Sequence, residues 1–426
     1  MREMKDSGIS WVGEIPKEWQ TLKSKFIFKQ RNTRGNNICI RLLSPTQKYG
    51  VIPQDNYEDL TGMNAVKLND NTNYALLKTI HKGDYCISLR SFQGGFEYSE
   101  YEGVVSPAYQ VFYPIITIAD GYYKFLFKER GFIDVMNSYT MGLRDGKNIA
   151  FDDFGDTFIP VPPLAEQQRI AEFLDRECGK IDGLKADIQA QIDTLEQYKR
   201  SVITEAVTHG LNPSATRKDS KVWYGQIPSE WKKLKGKYVF KQRNDRGNNV
   251  CLQLLSPTQK YGVIPQDKYE ELTGMNAVKL NDSTNYALLK TIHKGDYCIS
   301  LRSFQGGFEY SEYEGVVSPA YQVFYPIITI ADGYYKYLFK EKGFIDVMNS
   351  YTMSLRDGKN IAFDDFGDTF IPVPALGEQQ EIADYLDNKC AEIEQIIADK
   401  KTQIETLDGY KKSLIYEYVT GKKEVV

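Results

Sequence analysis

Two stretches of the sequence mix cationic side chains with asparagine, at a fixed offset of 212 residues. Lys and Arg neutralise phosphate groups, while Arg and Asn carry the paired donors and acceptors that read guanine and adenine edges in the major groove. The pattern indicates nucleic-acid contact, although a solvated charged face would look similar. The lysines are Lys23 and Lys25 with Lys235 and Lys237, and the candidate contacts are Arg31, Asn32 and Arg34 with Arg243, Asn244 and Arg246.

Three further polar clusters carry the same kinds of side chain. The first lies in Leu89–Gly95, directly after an apolar run, where glycines permit a tight loop. The second, at residues 144–148, precedes the proline-rich segment Ile159–Pro163, and the third, at residues 46–48, follows Leu43. Their candidate DNA contacts are Arg90, Ser91 and Gln93; Arg144, Lys147 and Asn148; Thr46, Gln47 and Lys48; and, 212 residues later, Arg302, Ser303 and Gln305; Arg356, Lys359 and Asn360; Thr258, Gln259 and Lys260.

Motifs for catalysis are missing from the sequence. It has no G-x-x-x-x-G-K-[ST] loop to cradle phosphates, no G-x-G-x-x-G turn and no Asn-Pro-Pro-aromatic run of an amino-methyltransferase. Glu230-Trp231-Lys232 resembles half of a nuclease site, but the first copy has Gln20 where the second has Lys232. Asp152, Asp153 and Asp156, repeated as Asp364, Asp365 and Asp368, are better suited to start a helix than to bind a metal. We assign no catalytic and no metal-binding residue.

The composition is that of a globular protein. The chain has 426 residues, 42% of them hydrophobic and 26% charged, with a net charge of -4. Six cysteines without a C-x-x-C pair, and only three histidines, predict reduced, buried thiols and no metal site. No window is apolar enough for a membrane span and the charged N-terminus does not resemble a signal peptide, so we expect a cytoplasmic protein.

An internal repeat organises the whole chain. Between Leu42–Pro162 and Leu254–Pro374 only six of 121 positions differ. The next 45 positions match at only about half. The six differences are Asn56/Lys268, Asp59/Glu271, Asn71/Ser283, Phe125/Tyr337, Arg130/Lys342 and Gly142/Ser354. Each copy therefore has a nearly invariant globular part followed by a divergent part.

The divergent part has the pattern of a long helix. Ile159–Pro163 and Ile371–Pro374 separate it from the globular part, because proline stops a helix from continuing. Apolar residues at heptad spacing predict a coiled-coil seam. They are Ile170, Leu174, Ile181, Leu184, Ile188, Leu195, Tyr198 and Val202, then Ile382, Leu386, Ile393, Ile396, Leu407, Tyr410 and Leu414. Two surface helices packed on their own domains remain the alternative.

The globular part mixes short strand-like runs, at Tyr85–Leu89 and Tyr109–Tyr113, with an amphipathic helical run at Gly121–Lys128. We predict an α+β fold. The predicted boundaries are a first globular domain at residues 1–163, a first helix at 164–210, a second globular domain at 211–375 and a second helix at 376–426.

Several of these segments resemble the specificity subunit of type I restriction–modification enzymes. The resemblance lies in Gly83–Ser91, in Ser106–Tyr109 and above all in Ile159–Ala171, which recurs as Ile371–Ala383. It follows the family's order over essentially the whole chain.

The resemblance implies two mixed α/β target-recognition domains separated by two long antiparallel helices that form a coiled coil with pseudo-twofold symmetry. It also implies double-stranded DNA as ligand, two methyltransferase subunits docked on the helices, and restriction and translocase subunits joined through the assembled complex. S-adenosylmethionine, ATP and Mg would then be bound by those partners. The chain itself would be a non-catalytic subunit of a restriction system.

Family members commonly carry two different recognition domains, whereas here they are nearly the same. Our hypothesis is therefore a palindromic, interrupted site, with equal half-sites about one helical turn apart. Residues 1–210 hold a domain and a helix, so two such halves should pair. The alternatives are the targeting subunit of a related modification or defence system, a stand-alone DNA-binding regulator and a coiled-coil scaffold.

Overall fold

The computed structural model describes residues 2–35, 41–63, 74–87, 95–139, 149–247, 253–275, 288–299, 307–351 and 361–425. The first copy contains β1 Met4–Asp6, β2 Glu14–Pro16, β3 Gln20–Lys23, β4 Phe28–Arg31, β5 Leu43–Thr46, β6 Gly50–Pro53, α1 Gln54–Thr61, β7 Lys78–Ile80, β8 Tyr85–Ile87, β9 Phe96–Tyr98, β10 Gly103–Val105, β11 Gln110–Pro114, α2 Asp120–Leu126, α3 Arg130–Ser138, α4 Phe151–Asp156, β12 Phe158–Val161 and α5 Leu164–His209.

The second copy repeats this order. It contains β13 Arg217–Asp219, β14 Gln226–Pro228, β15 Lys232–Lys235, β16 Phe240–Arg243, β17 Leu255–Thr258, β18 Gly262–Pro265, α6 Gln266–Thr273, β19 Lys290–Ile292, β20 Tyr297–Ile299, β21 Phe308–Tyr310, β22 Gly315–Val317, β23 Gln322–Pro326, α7 Asp332–Leu338, α8 Lys342–Ser350, α9 Phe363–Asp368, β24 Phe370–Val373 and α10 Leu376–Val419.

The chain divides into two compact units that each take parts of both long helices. Unit 1 is Met1–Gln189 with Lys401–Val426, and unit 2 is Ala190–Lys400. Unit 1 thus combines the first globular part with the beginning of α5 and the end of α10. Unit 2 combines the second globular part with the end of α5 and the beginning of α10.

A four-stranded antiparallel sheet, in the order β4-β11-β8-β9, is the centre of unit 1. Successive side chains of β8 face opposite sides, as the pleat requires. Tyr85 and Ile87 lie in a large aromatic core, and Cys86 lies in a smaller aliphatic core on the other side. Unit 2 has the same sheet, β16-β23-β20-β21, and the same two cores. The predictions of an α+β fold, of strands at β8 and β11 and of a helix at α2 are confirmed.

The cysteines also behave as predicted in the part of the chain that is described. Cys86, Cys178, Cys298 and Cys390 are buried and form no disulfide. Burial raises the pKa of the Cys86 thiol far above its usual range. Among the described residues, no helix combines the length and the apolar character that a membrane span requires.

The start of each long helix is held to its globular part by a Glu-Gln pair. The indole Nε1 of Trp19 donates to Glu166 Oε2 at 2.8 Å. Gln167 donates from Nε2 to the Pro162 carbonyl and accepts from the Ala119 amide, at 2.8 and 2.9 Å. Because Gln167 links the proline junction to the residue before α2, the direction in which α5 leaves the domain is fixed. Unit 2 repeats these bonds at Trp231, Glu378 and Gln379.

The helix α2 lies directly against α5. A Cβ on Gly121 would stand 2.8 Å from the Cβ of Ala171, so only glycine permits this approach. Beside it, the buried Tyr122 hydroxyl donates to the Val419 carbonyl of α10 at 2.8 Å. The last turns of α10 therefore complete the core of unit 1, and Tyr334 with Val207 does the same in unit 2.

The long helices pair antiparallel within each unit, as predicted. In unit 1, Asp182 pairs with Lys411 at 2.6 Å, and Lys185 pairs with Asp408. Higher numbers in α5 thus face lower numbers in α10. In unit 2, Lys199 pairs with Glu394 and Gln191 accepts from Lys400, in the same sense.

Four of the predicted seam residues are wrong. Leu184, Tyr198, Ile396 and Tyr410 are 53%, 48%, 45% and 57% exposed. In each case the residue one position later is more buried, and three of those residues are the lysines Lys185, Lys199 and Lys411. A lysine stem can cover apolar surface while its ammonium group meets a carboxylate across the helix pair. At the three lysine positions, counting only apolar residues therefore placed the seam one residue too early.

We predict that Gly121→Ala lowers the unfolding free energy by about 1–3 kcal/mol, because the added methyl overpacks the contact with Ala171. The control is Gly179→Ala in α5, where no atom lies within 4 Å and the second copy already has Ala391. That change should stabilise by about 1 kcal/mol. Calorimetry of both variants measures this, and equal shifts of the same sign would contradict the close packing of α2 on α5.

Candidate nucleic-acid interface

One end of the central sheet carries the first group of predicted DNA contacts. In β11, Val111 pairs with Arg31 of β4, and its neighbour Gln110 pairs with Ile87 of β8. The chain therefore leaves β4 and β8 at the same end of the sheet.

Arg31 lies at this end and is held by the protein itself. Its Nε and one terminal nitrogen donate to Asp84 at 2.6 and 3.0 Å, and its guanidinium lies 4.4 Å from the Tyr113 ring centre. The Asp84 carboxylate is buried and also accepts the His81 amide at 2.9 Å. Arg243 repeats the pair with Asp296. The pair positions the strand end, and DNA contact by Arg31 and Arg243 stays a prediction.

Asn32 and Arg34 are exposed beside this pair. The Asn32 amide donates to Gln30 at 2.9 Å, and Gln30 donates to Gln110 at 2.6 Å. Arg34 donates to the Leu76 carbonyl at 2.6 Å. These contacts orient two exposed side chains whose donors and acceptors suit base edges and phosphates.

The equivalent residues in unit 2 keep this arrangement. Asn244 donates to Gln242 at 3.1 Å, and Arg246 donates to the Leu288 carbonyl. One exposed neighbour differs, since Asp245 replaces Thr33 and accepts from Arg243 at 3.2 Å. The extra carboxylate reduces the positive charge on this surface of unit 2.

The loop cluster of Thr46, Gln47 and Lys48 lies elsewhere. The Thr46 hydroxyl stabilises the turn between β5 and β6, donating to the Gly50 carbonyl and accepting from the Tyr49 amide at 3.0 Å each. Gln47 and Lys48 are exposed at the tip. In unit 2, Thr258 makes the same turn bonds, with Gln259 and Lys260 exposed.

This tip lies beside β9 of the central sheet. Val51, just after the turn, bridges to Ser99, which follows the end of β9. The end of β9 pairs with Tyr85, whereas its beginning pairs with Ile87. Because this bridge is parallel, the tip lies alongside the beginning of β9, and DNA contact by Gln47 and Lys48 stays a prediction.

The remaining predicted contacts lie outside the described residues and stay predictions. They are Arg90, Ser91, Gln93, Arg144, Lys147 and Asn148, with Arg302, Ser303, Gln305, Arg356, Lys359 and Asn360.

Asp152 and Asp153 lie in the first turn of α4, as interpreted, whereas Asp156 is the last residue of that helix. Asp153 accepts the Ala150 amide at 3.3 Å at the beginning of α4. Asp156 accepts from Lys23 at 3.0 Å and from Lys25 at 2.7 Å. The early lysines of the basic stretch thus lie beside an acidic partner, which their sequence positions did not reveal.

One residue of β9 forms an ion pair in which the carboxylate is buried. The Glu97 side chain is buried and pairs with Lys128. Burial raises the pKa of the Glu97 carboxyl to about 7, although the nearby ammonium opposes this shift. Glu309 and Lys340 form the same pair in unit 2, where burial again raises the carboxyl pKa to about 7.

An exposed apolar face on the helices was missed by the sequence analysis. In unit 1, the two ion pairs of Asp182 and Lys185 bracket Leu184 on α5 and Tyr410 on α10. In unit 2 the equivalent exposed residues are Ile396 and Tyr198. Each unit therefore offers one aliphatic and one tyrosine side chain on the helices. The sequence would have revealed this face if Lys185, Lys199 and Lys411 had been counted as seam residues, because their apolar neighbours then fall outside the heptad seam.

The family model described as the type I restriction modification DNA specificity domain matches residues 16–194 and 226–406, and the chain belongs to this family. Both copies of the repeat are covered. A relative in Methanocaldococcus jannaschii, the putative type I restriction enzyme MjaX specificity subunit, is 24% identical over 63% of this chain and 59% of its own length. The EcoBI specificity subunit of Escherichia coli is 33% identical over 19% of this chain and 17% of its own length. The matches thus span 59% or less of these relatives.

Solved structures show the same fold. The HsdS subunit from Thermoanaerobacter tengcongensis superposes with a TM-score of 0.52 at 15% identity, over 96% of this chain and 98% of that one. A chain from a study of complex assembly in a type I R-M system gives a TM-score of 0.66 at 14% identity, over 96% and 99%.

We predict that the buried carboxylates make stability depend on pH. A carboxyl whose folded pKa is raised contributes stability that is complete below its unfolded value and is lost as pH rises through the folded value, here about 7. Each pKa unit corresponds to about 1.4 kcal/mol. The double variant Glu97→Gln, Glu309→Gln should therefore lose less thermal stability between pH 5.5 and 7.5 than the wild type. The exposed Glu100→Gln, Glu312→Gln pair is the control, and equal pH profiles would contradict the assignment.

Proposed function

We propose that this chain is the DNA sequence-recognition subunit of a type I restriction–modification complex. The observation that carries the proposal is that the family model matches each copy of a nearly invariant repeat. In each described unit, exposed Asn and Arg side chains stand at one end of the central sheet. Two such units supply one DNA-contacting surface each, and so favour a site in two parts.

Near-identity of the units supports equal half-sites. Only Thr33 and Asp245 distinguish the exposed residues between Arg31 and Arg34 from their equivalents, and threonine and aspartate flank rather than replace the candidate contacts. We take the equal half-sites to be inverted with respect to each other, as the resemblance to the family implies. The proposed target is a palindrome interrupted by an unread spacer.

Catalysis belongs to partner subunits in this proposal. The sequence lacks phosphate-binding and methyltransferase motifs, so S-adenosylmethionine, ATP and Mg would be bound by the partners. Restriction and translocase subunits would join through the assembled complex. The role of this chain is to position those enzymes on a chosen DNA site.

The exposed helix face supports docking of two methyltransferase subunits. Leu184 with Tyr410 in unit 1 and Ile396 with Tyr198 in unit 2 are chemically equivalent apolar pairs. Tyrosine is enriched among the residues that anchor protein interfaces, and neighbouring exposed apolar side chains add buried surface on binding. Because the two pairs are chemically equivalent, we expect them to bind two copies of the same subunit rather than two different subunits.

We predict that cells co-expressing this chain with its methyltransferase carry one palindromic, interrupted methylation motif, detected by single-molecule sequencing. Arg34→Ala and Arg246→Ala should each weaken methylation at that motif, by about 10-fold if each lost contact is worth about 1.4 kcal/mol. Lys17→Ala, on a pair between exposed side chains of unit 1, is the control. A clearly asymmetric motif would contradict equal half-sites, and methylation unaffected by both arginine variants would contradict the assigned surface.

A further inference from the structure

Each unit contains a cleft beside the edge strand of its central sheet. In unit 1 it has a volume of about 610 Å³ and lies between the β5–β6 turn, β9 and α2. Its lining includes Lys48, Tyr49, Leu60, Tyr101 and Lys124. In this part of the unit the globular domain meets α10, because Lys411 and Ile415 also line the cleft.

Unit 2 repeats the cleft with a volume of about 410 Å³. Lys260, Tyr261, Leu272, Tyr313 and Lys336 occupy the equivalent positions. One of the few substitutions between the globular copies falls on its rim, where Lys268 replaces Asn56. Lys268 donates to the Tyr313 hydroxyl at 3.3 Å, which adds a further cation to this cleft.

The chemistry of the cleft is cationic at the rim and partly apolar. Four lysines and two glutamates line each cleft. In unit 1 one of the glutamates is the buried Glu97, which pairs with Lys128. Lys48 and Lys124 are exposed, and Leu60 at the rim is 57% exposed. A phosphodiester would bind the lysines but would make no favourable contact with an exposed leucine. An acidic peptide that also carries an apolar side chain would contact both the lysines and the leucine.

The position of the cleft connects it with the helix face already described. Tyr410 of that face directly precedes Lys411, and Ile415 lies about one turn further along α10. These residues keep their identity in α5 as Tyr198, Lys199 and Ile203, although only about half of the helical positions match between copies. The retained segment and the cleft form one continuous surface in unit 1.

We propose that each cleft binds an acidic segment, carrying at least one apolar side chain, of the protein subunit that docks on the neighbouring helix face. This inference rests on the proposed function, since it gives the docked methyltransferase a second contact on each unit. The helix face supplies apolar anchors, and the cleft supplies lysines that select an acidic sequence. One chain thereby holds two copies of the same subunit, each at two points.

Charge reversal in the full-length chain tests the proposal. Lys48→Glu with Lys124→Glu changes the first cleft, and Lys260→Glu with Lys336→Glu changes the second. Lys5→Glu with Lys17→Glu, on exposed residues outside the clefts, is the matched control. Each variant is titrated with the cognate methyltransferase, native mass spectrometry gives the stoichiometry, and thermal melting verifies folding.

We expect at least a 10-fold loss of affinity at the altered unit, so that either cleft variant binds one methyltransferase where the wild type and the control bind two. Binding of two copies with wild-type affinity by both cleft variants would overturn the proposal. A loss confined to DNA binding, with the salt slope falling by about 0.9 for each phosphate contact removed, would also overturn it and identify a nucleic-acid site. A wild-type chain that binds DNA specifically but takes no methyltransferase would refute the proposed function itself.

Discussion

The core of each unit is closed by the last turns of a long helix that begins in the other unit. In unit 1, Val419 is fully buried, and its carbonyl accepts the hydroxyl of Tyr122, 297 residues earlier in the chain. A buried tyrosine hydroxyl without this acceptor would cost about 1–3 kcal/mol, and the lost packing would add to that. Val207 serves Tyr334 in unit 2 in the same way. Neither globular part is therefore complete by itself.

This constraint explains why the helical parts diverge in some places and not in others. The start of each helix keeps the Glu-Gln pair because Gln167 bonds both the proline junction and the residue before α2. The end keeps valine at 207 and 419 because that residue closes a core. Between these points the seam needs only burial and charge balance, so Lys185 stands where the second copy has Ile397. The ends of the helices are thus constrained by the cores, and the middle tolerates substitution.

The sequence predicted the fold class, the strands, the paired helices and the repeat, because hydrophobic periodicity and near-identity are local signals. It misplaced Leu184 and Tyr198, because a lysine on a seam is recognised only once its partner across the helix pair is known. It could not show that Thr46 and Arg31 belong to different sheets, because strand pairing depends on contacts that are remote in sequence. The pairing of Arg31 with Asp84 likewise depends on a contact across 53 residues, which no local pattern contains.

The two copies are not identical where the helices close the cores. Phe173 stacks on Tyr418 in unit 1 with ring centres 4.4 Å apart. The equivalents in unit 2 are Tyr385 and Ala206, which line a cleft of about 560 Å³. A half-chain would have to close its core with Val207 of a second copy and would place Ala206, not Tyr418, opposite Phe173. Such a pairing is expected to form and to be weaker than the pairing within the full chain.

The most direct test of this account is the mass of the fragment 1–210 in solution, measured by light scattering after gel filtration. The account predicts a folded dimer, which the variant Val207→Glu should dissociate and unfold. A folded fragment that is monomeric at micromolar concentration and unfolds cooperatively would contradict the claim that each core is completed by the end of a remote helix.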